Sequence, residues 1–414
     1  MRSNYKKLGR YIKEVNKRNS ELKVDLLLGV SIQKVLMPSI ANTVGTDMTT
    51  YKIINRNQFA YGPVTSRNGN KISVAILEDY DEAIISQAYV VFEVINPNEL
   101  LPEYLMMWFR RPEFDRYARY KSHGSAREIF DWQEMCEVEL PVPPIEKQRE
   151  IVAEYQAVQK RIQINEQQIQ KLKETVQAVY RRWFVQFEFP NKEGKPYKSS
   201  GGEMVWCEEL GKVVPEGWVV NDLSNYCSKI TKGTTPEEMY VEKNEYKFIT
   251  FIKGESLKDN HFFDFEKISF IDLKTHNQLN RSKLEEYDIC YSIAGTLDKF
   301  AIVDKEIIPA NTNQAIAIIR VDQSKLNRFY IIGFFYSNLQ MEFYRFNIQQ
   351  AVQANLSLET ISALPIIIPD RTTVQTIGKY IEKIYGQKLN LDKQNRRLKD
   401  LKELLLSKLS TIEN

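Results

Sequence analysis

Apolar positions from Ile151 onward step by four and three residues: Ile151, Tyr155, Val158, Ile162, Ile169, Leu172, Val176, Val179 and Trp183, with Asn165 on the same line. A 3.5-residue period of this length is the seam of a helix that packs on another helix. No Gly or Pro falls between Ile145 and Phe189, the Pro143-Pro144 pair suits a helix start, and Pro190 is a stop, so a helix over 144–189 is predicted. A second seam closes the chain. Ile377, Ile384, Leu391, Leu398, Leu405 and Ile412 recur every seven residues, beside a companion line of Val374, Ile381, Lys388, Asn395, Lys402 and Leu409, which predicts a helix over 371–414. Polar residues inside a seam cost stability but fix register and partner. The two helices are therefore expected to pair with each other, Asn165 and Asn395 lying near the middle. The competing reading packs each helix on its own globular neighbour.

The stretches outside the helices, 1–143 and 204–370, mix strand-like runs (Ile72–Leu77, Tyr89–Ile95, Lys247–Ile252, Ala315–Val321, Leu364–Ile368) with aromatic-rich helical ones (Pro102–Tyr120, Asn327–Phe346). They also resemble each other. Gln87-Ala88 before YVVFEVI matches Gln314-Ala315 before IAIIRVD, Leu8-Gly9-Arg10-Tyr11 matches Leu223-Ser224-Asn225-Tyr226, and Glu103-Tyr104-Leu105 matches Arg328-Phe329-Tyr330. Leu140-Pro141-Val142-Pro143 before the first helix matches Ile366-Ile367-Ile368-Pro369 before the second. The drift in offset places an insertion of about a dozen residues between Ser228 and Asn313. The Gly-, Ser-, Lys- and Pro-rich segment over 190–203 reads as an exposed linker. The expected architecture is two α/β (α+β) globular domains, duplicated, joined by two long antiparallel coiled-coil helices into a pseudo-twofold dumbbell.

Composition narrows the function. Lys+Arg 57 against Asp+Glu 54 leaves +3, so a uniformly basic surface is excluded while a local basic patch is not. No apolar run reaches transmembrane length and the opening residues lack a signal-peptide core, which predicts a cytoplasmic protein with no membrane role. Cys136, Cys207, Cys227 and Cys290 lack metal or redox spacing, and His123, His261 and His276 are scattered. There is no phosphate-binding glycine loop and no Pro-Pro-aromatic motif for gripping a flipped base. Pro369-Asp370 with Asp400-x-Lys402 imitates a nuclease pattern, but Asp400 and Lys402 fall within the heptad helix, where they cannot form a metal site with a strand. No catalytic residue and no metal is predicted. A chain of this size without a catalytic constellation reads as a binding or scaffolding component.

LPVPPIEKQREIVAEY (Leu140 to Tyr155), FPNKEGKPYKSSGGEMVW (Phe189 to Trp206) and Val214-Pro215-Glu216-Gly217-Trp218 resemble the junctions of specificity (S) subunits of type I restriction-modification systems. Gly233-Thr234-Thr235-Pro236 looks like that family's Gly-x-x-Pro turn, the run Tyr287 to Thr296 like its Gly-Asp-Ile strand and Gly-Thr turn, and Asn355-Leu356-Ser357 like the segment ahead of its closing strand. The likeness spans the whole chain. It departs at Ile32-Gln33-Lys34, placed where the second domain has its Gly-Thr-Thr-Pro turn, and at the second junction, PDRTTVQTI (Pro369 to Ile377).

The resemblance implies a non-catalytic reader of double-stranded DNA with no cofactor of its own. Two modification (M) subunits would carry S-adenosylmethionine and methylate adenine, and restriction (R) subunits would use ATP and Mg. The target-recognition domains, 1–143 and 204–370, would each read half of a bipartite asymmetric site, while the paired helices set the gap and dock the M subunits. Two rivals remain: the specificity subunit of a fused methylase–nuclease system, and a coiled-coil scaffold with no DNA role.

DNA contacts are expected from polar loop residues, phosphate contacts positioning and base contacts specifying. The first domain offers Ser66, Arg67, Asn68, Asn70 and Lys71, with Arg67 suited to guanine, and the loop of Ser122, His123, Ser125 and Arg127. The second offers Lys232, Thr234 and Thr235, then Ser292, Thr296 and Lys299. Gln349, Gln350 and Gln353, suited to adenine, hold the place of the Ser122–Arg127 loop. Lys160, Arg161, Lys171, Lys173, Lys393, Arg396, Arg397 and Lys399 are expected on the outward faces of the helices, either solvated or facing partners.

Overall fold

The computed structural model describes residues 5–39, 45–66, 68–124, 127–236, 248–297, 299–348 and 355–412. The chain forms two compact units, 1–163 with 395–414 and 164–394, so each long helix contributes to both.

Each unit holds one globular domain, and the two are built alike. In the first, a four-stranded antiparallel sheet runs in the order Ile12–Val15, Val90–Val94, Phe59–Tyr61, Val74–Ile76. In the second the order is Cys227–Lys232, Ile316–Val321, Ile289–Ser292, Phe300–Ile302. Beside it lies a second sheet around one parallel pair, Leu27–Val30 with Glu82–Ile85 in the first domain and Ile249–Ile252 with Ala310–Thr312 in the second. In the four-stranded sheets Val74–Ile76, Ile289–Ser292 and the first four residues of Ile316–Val321 are buried on both faces, so their runs are largely apolar instead of alternating. Two short helices follow, Pro102–Phe109 with Pro112–Tyr120, and Arg328–Tyr336 with Leu339–Ile348. A closing strand, Glu139–Pro141 or Pro365–Ile368, then pairs with an early strand of its domain, Tyr5–Lys7 or Val219–Asp222.

The repeat extends to single hydrogen bonds. Leu8 N donates to Val138 O at 2.8 Å as Leu223 N does to Leu364 O at 2.8 Å. The Tyr104 hydroxyl donates to Pro141 O at 3.1 Å, and the Tyr330 hydroxyl to Ile367 O. Tyr104 therefore corresponds to Tyr330, one residue from the expected match with Phe329. A left-handed residue precedes the central strand in both domains, Asn57 at φ 66 and Tyr287 at φ 72. The buried residue after it keeps its geometry while its polarity is reversed. Gln58 accepts from Asn55 N at 2.8 Å and donates to the Glu93 carboxylate at 2.7 Å. Asp288 accepts from Glu285 N at 2.8 Å and takes two charge-assisted bonds of 2.7 Å from Arg320.

Part of the expected added length lies in one hairpin. Segment 253–268 joins two strands in the second domain where 31–35 joins their counterparts in the first. This corrects the placement of Ile32-Gln33-Lys34 opposite the Gly-Thr-Thr-Pro turn. That turn follows Cys227–Lys232, whose counterpart is Ile12–Val15, whereas Lys34 belongs to the next hairpin. Lys34 is buried, ion-paired with Asp115 at 2.8 Å and bonded to Phe109 O. Ahead of the central strand the first domain has the turn Met48–Thr50 and the strand Lys52–Asn55, and the second has the helix Leu273–Gln278 and the turn Asn280–Ser282.

The first long helix spans Ile145–Phe184 and the second Arg371–Lys408. The side chain of Gln148, fully buried, fastens the first helix start: it accepts from Leu101 N at 2.9 Å and donates to Glu99 O and Pro143 O, both at 2.8 Å. At the second start Asp370 does the corresponding work, accepting from Thr373 N at 3.0 Å, which makes it a helix cap. The first helix stops at Phe184 and not at Pro190. The chain turns at Phe187, φ 62, because Phe184, Phe187 and Phe189 all pack on Trp218, with ring centroids 5.8, 5.8 and 4.7 Å away. The linker is likewise tied down, Tyr197 stacking on Phe189 at 4.6 Å.

In the first unit, Val152 and Tyr155 share a core with Leu406 and Leu409, while Ile151, Leu405 and Ile412 pack at its margin. In the second unit Val176, Tyr180 and Phe184 share a core with Val374, Ile377, Ile381, Ile384 and Tyr385, and Leu172 lies at its edge. Val158, Ile162 and Ile169 are buried, and Leu391 and Leu398 half-buried. Asn165 and Asn395 are buried, and Asn165 meets the Gln394 amide at 3.5 Å. Two residues expected on the outer face are engaged instead. Lys173 donates to Asp259 O at 3.2 Å, and Lys393 pairs with Asp304 at 3.2 Å and Glu306 at 3.0 Å.

Candidate nucleic-acid interface

The loops singled out in sequence meet in space, domain by domain. In the first domain the hairpin turn between Phe59–Tyr61 and Val74–Ile76 meets the loop after Pro112–Tyr120 through bridges of Val64 and His123 to Ile129. Thr65 N donates to Glu128 O at 3.0 Å, and the Thr65 hydroxyl donates to Ser122 Oγ at 2.9 Å. Ser66, Asn70, Lys71, His123 and Arg127 are exposed on this joined pair of loops. Asn68 is half-buried and folds back on Val64 O at 3.3 Å, and Ser122 donates to Ala118 O at 2.7 Å, so both hold the loops together. Asp115, the buried partner of Lys34, accepts from Ile72 N at 3.1 Å and anchors the base of the turn. Arg67 and Ser125 lie outside the described residues.

The second domain repeats the arrangement. Ala294, after Ile289–Ser292, bridges to Asn355, and Leu356 N donates to Ile293 O at 3.0 Å. A depression of about 420 Å³ beside this bridge is lined by Lys253, Ser292, Thr296, Lys299 and Asn313. Thr296 is exposed, Lys299 pairs with Asp259 at 2.9 Å, and Ser292 is buried with its hydroxyl on Ala294 O at 3.2 Å, a turn-holding role. Lys232 is exposed at its strand end. Gln349, Gln350 and Gln353 lie outside the described residues. Thr234 and Thr235 come against residues the sequence reading passed over: Arg281 Nη2 donates to the Thr234 hydroxyl at 2.9 Å, and the Thr235 hydroxyl donates to the Gln314 amide oxygen. Gly233 permits this approach, since a Cβ there would lie 2.0 Å from Thr312 O. Arg281 and Gln314 are far from Thr234 in sequence; Gln314 is marked there only as the repeat partner of Gln87 and Arg281 by no pattern, so their meeting with Thr234 and Thr235 is visible only in the fold.

Among the described residues no group of three or more His, Cys, Asp or Glu side chains could hold a metal ion, and no helix is long and apolar enough to cross a membrane.

Two domains of one design, each presenting a paired loop surface and each feeding a long helix, define a duplicated recognition protein. Residues 37–174 and 215–401 match the type I restriction modification DNA specificity domain, and the chain belongs to that family of specificity subunits. It is 23% identical over 320 residues to the type I restriction enzyme MjaIX specificity subunit of Methanocaldococcus jannaschii, covering 76% of this chain and 70% of that one. It is 22% identical over 429 residues to the HindI specificity subunit of Haemophilus influenzae, covering 91% of this chain and 90% of that one. The crystal structure of the type I restriction-modification S subunit from M. genitalium has the same fold, with a TM-score of 0.57, 11% identity and coverage of 99% and 96%.

Proposed function

We propose that this specificity subunit reads a bipartite, asymmetric DNA site, its domains at 1–143 and 204–370 each reading one half. The observation that carries this reading is the repeat of one joined loop surface at the equivalent place in both domains, Val64 with Ile129 and Ala294 with Asn355, built from different side chains. Domains of the same frame with different loop residues suit two different half-sites. Ser66, Asn70, Lys71, His123 and Arg127 in the first, and Lys232, Thr234, Thr235, Thr296 and Lys299 in the second, are the contacts we assign, together with Arg67, Ser125, Gln349, Gln350 and Gln353. Ser292, Ser122 and Asn68 position these loops.

The two long helices pair as an antiparallel coiled coil and set the gap between half-sites. The opposed core partners support this: the start of the first helix packs with the end of the second, and the end of the first with the start of the second. The helices also dock two M subunits, with R subunits joining the complex. Catalysis belongs to these partners: S-adenosylmethionine to the M subunits, ATP and Mg to the R subunits. The complex works in the cytoplasm.

Methylome sequencing tests the reading. A host expressing this chain with its neighbouring M subunit is expected to carry adenine methylation at one bipartite motif, absent when this chain is deleted. Methylation that is identical without this chain would sink the proposal. A pull-down retaining a single fused methylase–nuclease chain in place of separate M and R subunits would move the protein to that related system.

A further inference from the structure

The turn that carries Arg281 is held by a fully buried polar side chain. Asn311 donates from Nδ2 to Leu279 O at 3.0 Å and to Ser282 Oγ at 2.9 Å, and its Oδ1 faces His276 Nδ1 at 2.5 Å. Three groups of the 276–282 segment are thus fixed to one strand of the core. An arrangement this complete, buried at the foot of an exposed turn, makes the turn rigid. Arg281 stands on it, exposed, with Nη2 on the Thr234 hydroxyl at 2.9 Å and on Gly233 O at 3.5 Å. Its Nε and Nη1 have no hydrogen-bond partner among the described residues. Gln314 is exposed beside it, its amide oxygen engaged by Thr235 and its amide nitrogen unpartnered among the described residues.

An exposed arginine is ordinarily free to rotate, and binding must remove that freedom. Arg281 is already oriented, with part of its guanidinium anchored and the rest available. Guanidinium groups carry donors only, and the base that offers two acceptors on its major-groove edge is guanine, through O6 and N7.

We propose that Arg281 is a specificity-determining residue that contacts a guanine in the half-site of the second domain, with Gln314 contacting a neighbouring base. This rests on the DNA-recognition reading above. Thr234, Asn311, His276 and Ser282 are positioning residues that hold it.

The test maps adenine methylation in a methylation-free host expressing the M subunit with the wild-type chain, R281A, R281K or Q314A. In both Arg281 variants one guanine of one half-site is expected to become degenerate, preference for it falling about tenfold to a hundredfold, with the other half-site and the gap unchanged. Q314A is expected to relax an adjacent position. Thermal unfolding of each purified variant complex at the wild-type temperature separates these losses from misfolding. A wild-type motif in R281A would overturn the proposal. So would a uniform drop over all sequences that R281K restores, since that is the signature of a phosphate contact. Absence of any motif with the wild-type chain would overturn the DNA-recognition reading itself.

Discussion

Lys388 lies on the companion line of the second seam and is fully buried. Its ammonium nitrogen sits 4.1 Å from the Tyr336 ring centre and 5.4 Å from that of Phe262, with no hydrogen-bond partner among the described residues. Burial, reinforced by the charge of Lys173 and only partly opposed by Asp392, pushes its pKa down to about 7. His261 beside it is also buried and held well below its usual range by the same cause. The sign follows from linkage. The unfolded lysine binds its proton near 10.5 and the folded one near 7, so stability is highest above the upper value and is lost as pH falls through that window, levelling below it. Replacing buried ionic groups by well-packed hydrophobes of similar volume is often neutral or stabilising by about 1–4 kcal/mol, and a buried lysine without a hydrogen-bond partner is the case in which the gain is expected. Lys388→Met is therefore expected to raise the unfolding temperature at pH 7 and to flatten the decline of stability between pH 10 and 7. Calorimetry of the two chains across that range checks both. Equal slopes would mean that Lys388 is solvated.

At the scale of elements, the second domain is fastened to its helices through the helix Arg328–Tyr336. Gly333 lies at the crossing, where a Cβ would come within 2.2 Å of Ile381 and 3.1 Å of Tyr180. Both long helices are reached from this one position. Gly333→Leu would overpack it, at a cost of about 1–3 kcal/mol by the usual range for enlarged core residues. The expected result is an earlier unfolding transition for the second unit and a weakened second half-site, with the first unit unaffected, as limited proteolysis combined with methylation mapping would show. The seams that announce these helices were legible because a 3.5-residue period over ten turns has no other physical reading. Their faces were less so. Leu406 and Tyr385 enter the cores while Leu391, Leu398 and Leu405 stay half-exposed, because globular domains as well as the partner helix pack against each seam and shift the buried side.

For the whole molecule, a net charge of +3 sets the DNA affinity that this chain brings alone. Phosphate contacts supply most non-specific binding and are lost steeply with salt. The isolated chain is expected to bind duplex weakly at physiological salt and with little selectivity, and the complex with M subunits tightly and selectively. Fluorescence anisotropy on a motif duplex and a scrambled one, at two salt concentrations, distinguishes these. Equal selectivity with and without M subunits would show that the chain is a self-sufficient reader.

The duplication, the two long helices and the family likeness could all be read from the order of residues, since each is written as local periodicity or as a repeated string. The loops around Ser122 and Thr296 could be picked as polar and exposed for the same reason. What only the tertiary structure decided is which of these side chains are free to act. Ser122, Ser292 and Asn68 turned out to be committed to holding loops, and Lys34 to a buried ion pair. Arg281 and Gln314 entered the candidate site because the fold brings two distant segments to Thr234 and Thr235. Local patterns record how a residue is buried along its own element. They carry no trace of which distant backbone or hydroxyl it will meet there.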